Sequence, residues 1–348
     1  IVSFIIILSV LVLVHEFGHF ITARMSGIKV EEFGLGYPPR IFGIKRGETT
    51  YSLNWVIFGG FTKLAGEEDP NVPRSMASKT HAVRFMVLVA GSVMNLILPI
   101  ILFTASFMIP HTELFENVVI TDVAQGSPAQ EAGIVAGDRI MKIANNPINN
   151  RANISYYVQL NLGNPVDVVV QKADQAEKTY NITPRWKPPQ GQGSLGVTIS
   201  GTDNITKTVS MPFWEAIPRS FVHSWEIVVL YKNEITKWII GSTSPQLTGP
   251  IGIAQLTGEV VRMGFAQILE FTSLISISLG IFNLFPFPGL DGGRIVFVAL
   301  EWIRRGKRIS PRKEGIVHTI GFALLLLLIV VISYFDVLRL ISGASIIP

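Results

Sequence analysis

The sequence predicts a polytopic α-helical membrane protein with a small α/β domain inserted in one of its connecting segments. Three observations lead there. Apolar residues make up 48 % of the 348-residue chain and charged residues only 16 %, against about 25 % charged in an ordinary soluble protein. The mean hydropathy is +0.42. The apolar residues are also clustered: segments 1–23, 83–110, 265–288 and 315–335 are nearly uncharged. Each has about the roughly 20 residues that a helix needs to cross a bilayer.

Basic residues set the orientation. Segment 24–84 carries Arg24, Lys29, Arg40, Lys45, Arg46, Lys63, Arg74, Lys79 and Arg84. The short segment 304–313 carries Arg304, Arg305, Lys307, Arg308, Arg312 and Lys313. Loops rich in Lys and Arg stay in the cytoplasm, so both are expected inside and the mixed-charge segment 111–264 outside. Four crossings with both termini outside satisfy this. The RRGKR run (304–308) is then topogenic, and a net charge of +4 gives no case for a nucleic-acid partner. The first segment has no basic leader and no A-x-A-like cleavage site, so a membrane helix is expected there rather than a signal peptide. The absence of cysteine excludes disulfides, thiolate nucleophiles and cysteine metal sites.

The elements follow in order. Residues 1–110 hold the first two membrane helices and, at about 49–66, two β-prone runs around Gly59-Gly60. These predict a cytoplasmic β-hairpin that dips into the lipid interface. Its edge is tolerated at membrane depth only where protein covers it or it lines a cavity. Residues 111–205 read as short strands (117–123, 138–145, 165–172, 178–184, 195–200). Val166, Val168 and Val170 share one buried face. Ser127, Pro128 and Gly133 mark a short helix as N-cap, first residue and stop. The stretch SPAQEAGIVAGDRIMKIANNPI resembles the PDZ domains of bacterial membrane and periplasmic proteases. Residues 206–264 are an amphipathic helix and linker. Its aromatic residues between 211 and 240 are expected on the outer membrane surface, with packing on the α/β module as the alternative. Residues 265–348 hold the last two membrane helices.

The chemistry gathers in HEFGH, residues 15–19. Positions i and i+4 share a helix face, so His15 and His19 can reach one metal ion. Glu16 points one residue on and can take a proton from water at that metal. Ionisable groups inside a membrane helix are costly and functional by default. With Arg24 at the cytoplasmic exit, His15 lies about 13 Å in, nearer the cytoplasmic side. A hydrolytic zinc uses three protein ligands and an open fourth position. Of the other histidines, His81 is at a helix entrance, His111 and His223 fall outside, and only His318 competes. Glu270 lies near an outer end. Asp291 is the better third ligand: Pro286 and Pro288 break the helix before it, and Gly289, Gly292 and Gly293 let the backbone turn.

HEFGH on the first helix, NLFPFPGLDGG (283–293) and the inserted module together resemble the site-2 protease family of intramembrane zinc metalloproteases, regulator-of-sigma-E type. The resemblance implies Zn2+ held by His15, His19 and Asp291, with Glu16 as general base. It implies that Asn283 holds the substrate or site by hydrogen bonds, and that Asn95, from GSVMN (91–95), also faces the site. It makes the Gly59-Gly60-Phe61 stretch an element that takes substrate as an added strand. It implies a multi-pass protein of the bacterial inner membrane with an extracytoplasmic PDZ domain. The expected partners are the bilayer and single-pass membrane proteins, cut after prior trimming. The PDZ domain would bind a substrate carboxyl terminus or act as a size filter. Some members carry two PDZ modules, and this sequence contains one. The rival readings are a metal transporter, which has no need of Glu16, and a non-catalytic PDZ scaffold, which would lack a ligand.

Overall fold

The computed structural model describes residues 1–67, 69–245, 247–307 and 309–342, and their side chains except those of Ile57 and Phe58. Of the predicted features, Arg308 and the tail from 343 lie outside the described residues. The elements run α1 (Val2–Met25), β1 (Val30–Arg46), β2 (Thr49–Leu64), α2 (His81–Met108), β3 (His111–Val123), α3 (Pro128–Ala132), β4 (Arg139–Ile143), β5 (Asn146–Pro147), α4 (Arg151–Leu160), β6 (Val166–Gln171), β7 (Glu177–Ile182), β8 (Val197–Val209), α5 (Phe213–Ile239), α6 (Pro250–Met263), α7 (Phe265–Asn283), α8 (Asp291–Ile303) and α9 (Pro311–Ile341). The chain divides into two compact units. One is 1–106, 216–224 and 247–348; the other is 107–215 and 225–246.

In the first unit, α1, α2, α7 and α9 are long and apolar enough to cross a membrane, and they coincide with the four predicted segments. Helix α1 buries Leu11, His15, Gly18, His19 and Ala23 while exposing Ile6, Val10, Phe17 and Ile21. A helix apolar on both its buried and its exposed faces suits a lipid surround. Gly18 lets α1 approach α2 closely, because a Cβ there would run into the Ala90 carbonyl. Small residues let membrane helices close up in this way. The carboxylate of Asp336 on α9 is buried and accepts the Gly252 N–H of α6 at 2.9 Å.

The β-hairpin is larger than predicted, and its turn lies elsewhere. The chain reverses at Gly47, whose φ is +65°, and Arg46 faces Thr49. Gly59 and Gly60 lie inside β2 rather than at its turn. Leu35 pairs across to both Gly60 and Leu53, so the first arm of β1 lies between the two ends of β2. The turn was misplaced because residues 30–46 include Gly34, Gly36, Pro38 and Pro39, a composition that hides a strand. The arm of β2 at residues 60–64 borders α1, where the Thr62 hydroxyl donates to the Glu16 carbonyl at 3.0 Å.

The second unit is the α/β module. Its sheet runs in the order β7-β6-β4-β3-β8, with β5 on β4. Val166, Val168 and Val170 enter the core beside Val118, Ile120, Ile140 and Ile143, as the alternation predicts. Helix α3 has the expected ends: the Ser127 hydroxyl accepts from Gln130 N–H and Gly133 stops it at φ +89°. Helix α4 was not predicted, although Asn150 caps it by accepting from Asn153 N–H. Residues 225–242 pack on this module: Tyr156 donates to Glu226 at 2.9 Å, Asn233 to the Gln159 carbonyl at 2.7 Å, and Ser242 to the Trp186 carbonyl at 2.7 Å. This part of α5 therefore follows the alternative reading, a helix on the module. Phe213, Trp214, Phe221 and Trp225 remain exposed.

Candidate metal centre

Two regions far apart in sequence supply the donors. Helix spacing places His15 and His19 on the buried face of α1, 7 % and 8 % exposed. The helix break predicted at Pro286 and Pro288 ends α7 at Asn283, and the chain restarts as α8 with Asp291 as its first residue. The turn between them is tight. A Cβ on Gly293 would lie 2.5 Å from the Phe287 carbonyl oxygen, and one on Gly292 would strike the Phe285 carbonyl. Gly289 has φ +101°, and its N–H donates to His318 Nδ1 at 3.0 Å. His318 thus pins the turn rather than joining the donors.

Asp291 Oδ2 lies 2.9 Å from His15 Nε2 and 3.2 Å from His19 Nε2, and the two Nε2 atoms are 3.1 Å apart. A tetrahedral zinc ion holds its ligand atoms about 3.3–3.5 Å from one another. The donor spacing is within a few tenths of an ångström of that. His19 Nδ1–H donates to the Val87 carbonyl at 2.7 Å, which fixes the tautomer and leaves the Nε2 lone pair for a metal. Space is also reserved: a Cβ on Gly91 of α2 would sit 2.5 Å from His19 Nε2 and 2.7 Å from His15 Nε2. The residues present therefore fit a zinc ion.

Asn95 is fully buried, with Nδ2 3.4 Å from His15 Nδ1 and Oδ1 lacking any partner. An imidazole that binds metal through Nε2 carries its proton on Nδ1 and needs an acceptor. Turning the amide over supplies that acceptor and removes the orphaned oxygen. Asn95 reaches His15 from behind and is not among the residues lining the cavities described next.

Two cavities of about 390 Å³ each open on the centre. They share Glu16, Tyr37, Gly60, Gly289, Leu290 and Asp291 as walls. The first continues past His15 along Leu8, Val12, Gly59, Leu279 and Asn283, and mixes apolar side chains with polar ones. The second continues past His19 along Phe61, Thr62, Lys63, Glu67 and Arg294, and is charged. Of the predicted site residues, His15, Glu16, His19, Gly59, Gly60, Phe61, Asn283 and Asp291 line these two cavities, and Asn95 does not. Gly91, Tyr37, Thr62, Glu67 and Arg294 were missed. Gly91 opens the same GSVMN stretch that pointed to Asn95, so it had a signal. The others are brought in only by the sheet and the α8 turn.

The fold and the site define a class: a multi-pass membrane protein with a centre suited to metal-dependent hydrolysis. The chain belongs to peptidase family M50, whose model matches residues 3–328, and it is a zinc metalloendopeptidase. It is 33 % identical to a Clostridium acetobutylicum protein that bears a provisional zinc metalloprotease name, over 97 % of each chain. It is 29 % identical to zinc metalloprotease RasP of Oceanobacillus iheyensis, over 98 % of this chain and 99 % of that one. Among solved structures, the PDZ domain of an SdrC-like protein from Listeria monocytogenes is similar at 20 % identity and TM-score 0.22. That match covers 24 % of this chain and 88 % of that one.

Proposed function

We propose that this protein hydrolyses a peptide bond within or near the membrane segment of single-pass membrane proteins, with His15, His19 and Asp291 holding zinc and Glu16 acting as general base. The observation that carries the reading is the convergence of three donor atoms 2.9–3.2 Å apart, with Glu16 in the wall of both adjoining cavities. Zinc, when bound, makes water more acidic and polarises a carbonyl group. Glu16 accepts the proton of the attacking water and passes it to the leaving amide nitrogen. Asn95 orients His15, and the Val87 carbonyl orients His19. Asn283, in the cavity beside His15, supplies a hydrogen bond to the substrate backbone.

A substrate helix has its carbonyls bonded internally, so it must unwind before it is cut. The arm of β2 from Gly60 to Leu64 lies along the cavities, and strand addition to that edge would offset the hydrogen bonds lost. Gly59, Gly60 and Phe61 form the start of this platform. The centre lies nearer the cytoplasmic face of a bacterial inner membrane, and the α/β module lies outside as a PDZ domain. There it either filters substrates by size or binds a freshly cut carboxyl end. Deleting residues 112–200 separates these roles, because only loss of a filter lets untrimmed membrane proteins be cut. Substrates are those already trimmed by another protease, such as anti-sigma-factor type proteins and remnant signal peptides.

The test uses purified protein in detergent with zinc and a single-pass substrate. Cleavage is expected, with loss on chelation and recovery on adding zinc back. Glu16→Gln is expected to keep one zinc per chain and to lose cleavage by at least about a hundredfold. Substantial hydrolysis by that variant would remove Glu16 from the role of base.

A further inference from the structure

The charged cavity contains a carboxylate that the proposed chemistry does not use. Ala65 N–H donates to the Lys29 carbonyl, so the N–H groups of odd-numbered residues at this end of β2 point towards β1. The N–H of Leu64 points the other way, as strand alternation requires. It belongs to the free edge, and it finds Glu67 Oε1 at 3.3 Å. The second oxygen of the same carboxylate, Oε2, accepts from Arg294 Nη1 at 2.8 Å. Arg294 lies one helical turn beyond Asp291 on α8 and lines the same cavity as Glu16, His19 and Asp291. Lys63, the other cation in that wall, is already paired with Glu31 at 3.0 Å.

Glu67 therefore does two things that an incoming peptide would do. One oxygen satisfies an edge N–H, as the carbonyl of an added strand would. The other satisfies a guanidinium, as an acidic group would. A strand that pairs with this edge must displace Glu67. A neutral strand replaces only the first bond and leaves Arg294 without its partner, whereas one bearing a carboxylate replaces both. Arg294 is half-exposed, but losing Glu67 still removes a charge-assisted hydrogen bond that only an acidic group restores in full, so the exchange favours the acidic strand.

We propose that the charged cavity is a subsite for a carboxylate of the substrate, received by Arg294, and that Glu67 holds its place until the substrate strand arrives. The proposal rests on the proteolytic reading above. It predicts a cleavage preference confined to one side of the scissile bond, because Arg294 lines only one of the two cavities.

The test is a substrate scan. A single-pass substrate carries Asp, Asn or Lys in turn at each of several positions on both sides of the cut, and kcat/KM is measured with the zinc-loaded, full-length protein. Asp is expected to exceed Lys by about tenfold at positions on one side only, the worth of one hydrogen bond to a charged group. Arg294→Glu is expected to invert that ratio. Glu67→Gln is expected to raise cleavage several-fold and to keep the preference for Asp. A carboxylate from the cut end gives a different pattern: a flat scan, with a product peptide ending in carboxylate inhibiting about tenfold better than its amide, an advantage lost in Arg294→Glu. A flat scan together with equal inhibition by the two peptides overturns the subsite while leaving the protease reading intact. Loss of cleavage in Glu67→Gln also overturns it. If the wild-type protein cuts none of the substrates, the proteolytic reading fails and the subsite with it. The wild-type scan alone decides the matter should Arg294→Glu fail to fold.

Discussion

Replacing Gly91 by alanine tests the metal centre without touching any donor. A methyl group at this position would lie 2.5 Å from His19 Nε2, 2.7 Å from His15 Cε1 and 2.7 Å from His15 Nε2, where ordinary contact begins at 3.4 Å. The imidazoles or α2 must retreat by about 0.7–0.9 Å, whereas metal–ligand distances tolerate about 0.2 Å. Misplacing a catalytic constellation by about 1 Å costs on the order of a hundredfold in rate. Elsewhere in a helix the same change is favourable by about 1 kcal/mol. The overlap offsets that gain, and Gly91→Ala should bind zinc at least tenfold more weakly. Its hydrolysis should fall by about a hundredfold. Zinc content is read by elemental analysis after dialysis, and cleavage on a single-pass substrate. A variant that retains one zinc per chain and full activity would refute the claim that this glycine makes room for the centre.

Three further outcomes follow from the structure. Asn95→Ala removes the partner of His15 Nδ1 while its backbone carbonyl still accepts from Ser276. Zinc affinity should fall about tenfold to a hundredfold, measured by competition with a chelator. In the α/β module, the backbone N–H of Arg151 at 2.7 Å and then its side chain hold Glu116 below its ordinary pKa of 4.5, against the opposing effect of burial. Because the folded value is the lower one, this stabilisation is complete above about pH 4.5 and is lost as pH falls through the lowered value. Hydrogen exchange at the first turn of α4 should accelerate there, and Glu116→Gln should flatten that dependence. Finally, Gly293→Ala would press a methyl group against the Phe287 carbonyl at 2.5 Å. It should displace Asp291 and weaken zinc binding, whereas Gly315→Ala, in open space on α9, should change zinc binding less than twofold.

Legibility in the sequence followed the strength of each local signal. The membrane helices were plain because about 20 apolar residues have few other uses. His15, Glu16 and His19 were plain because a helix converts i, i+4 spacing directly into one face. Asp291 was reachable by elimination, since a broken, glycine-rich turn at membrane depth needs a protein cavity. Helix α8 was missed: residues 291–303 follow two prolines and begin with Asp-Gly-Gly, weak helix formers. Helix α4 was missed because RANISYYVQL has little apolar periodicity beyond Ile154, Tyr157 and Val158. The hairpin turn was placed at Gly59-Gly60 because paired glycines usually mark a reversal, whereas here they lie within a strand beside Glu16. Arg294 and Glu67 carry no sequence signal as partners, because 227 positions separate them and only the fold brings them together.

The donor set has a temporal consequence. His15 and His19 emerge first during synthesis, and Asp291 follows 276 residues after His15. On the proposed ligand set, until that aspartate is made and the turn before it has closed, the two imidazoles form an incomplete shell that would hold metal weakly. The growing chain thus passes through most of its insertion into the bilayer as a disarmed enzyme, among nascent membrane helices that include its own. On that proposed ligand set, completion of the hydrolytic centre is tied to completion of the fold.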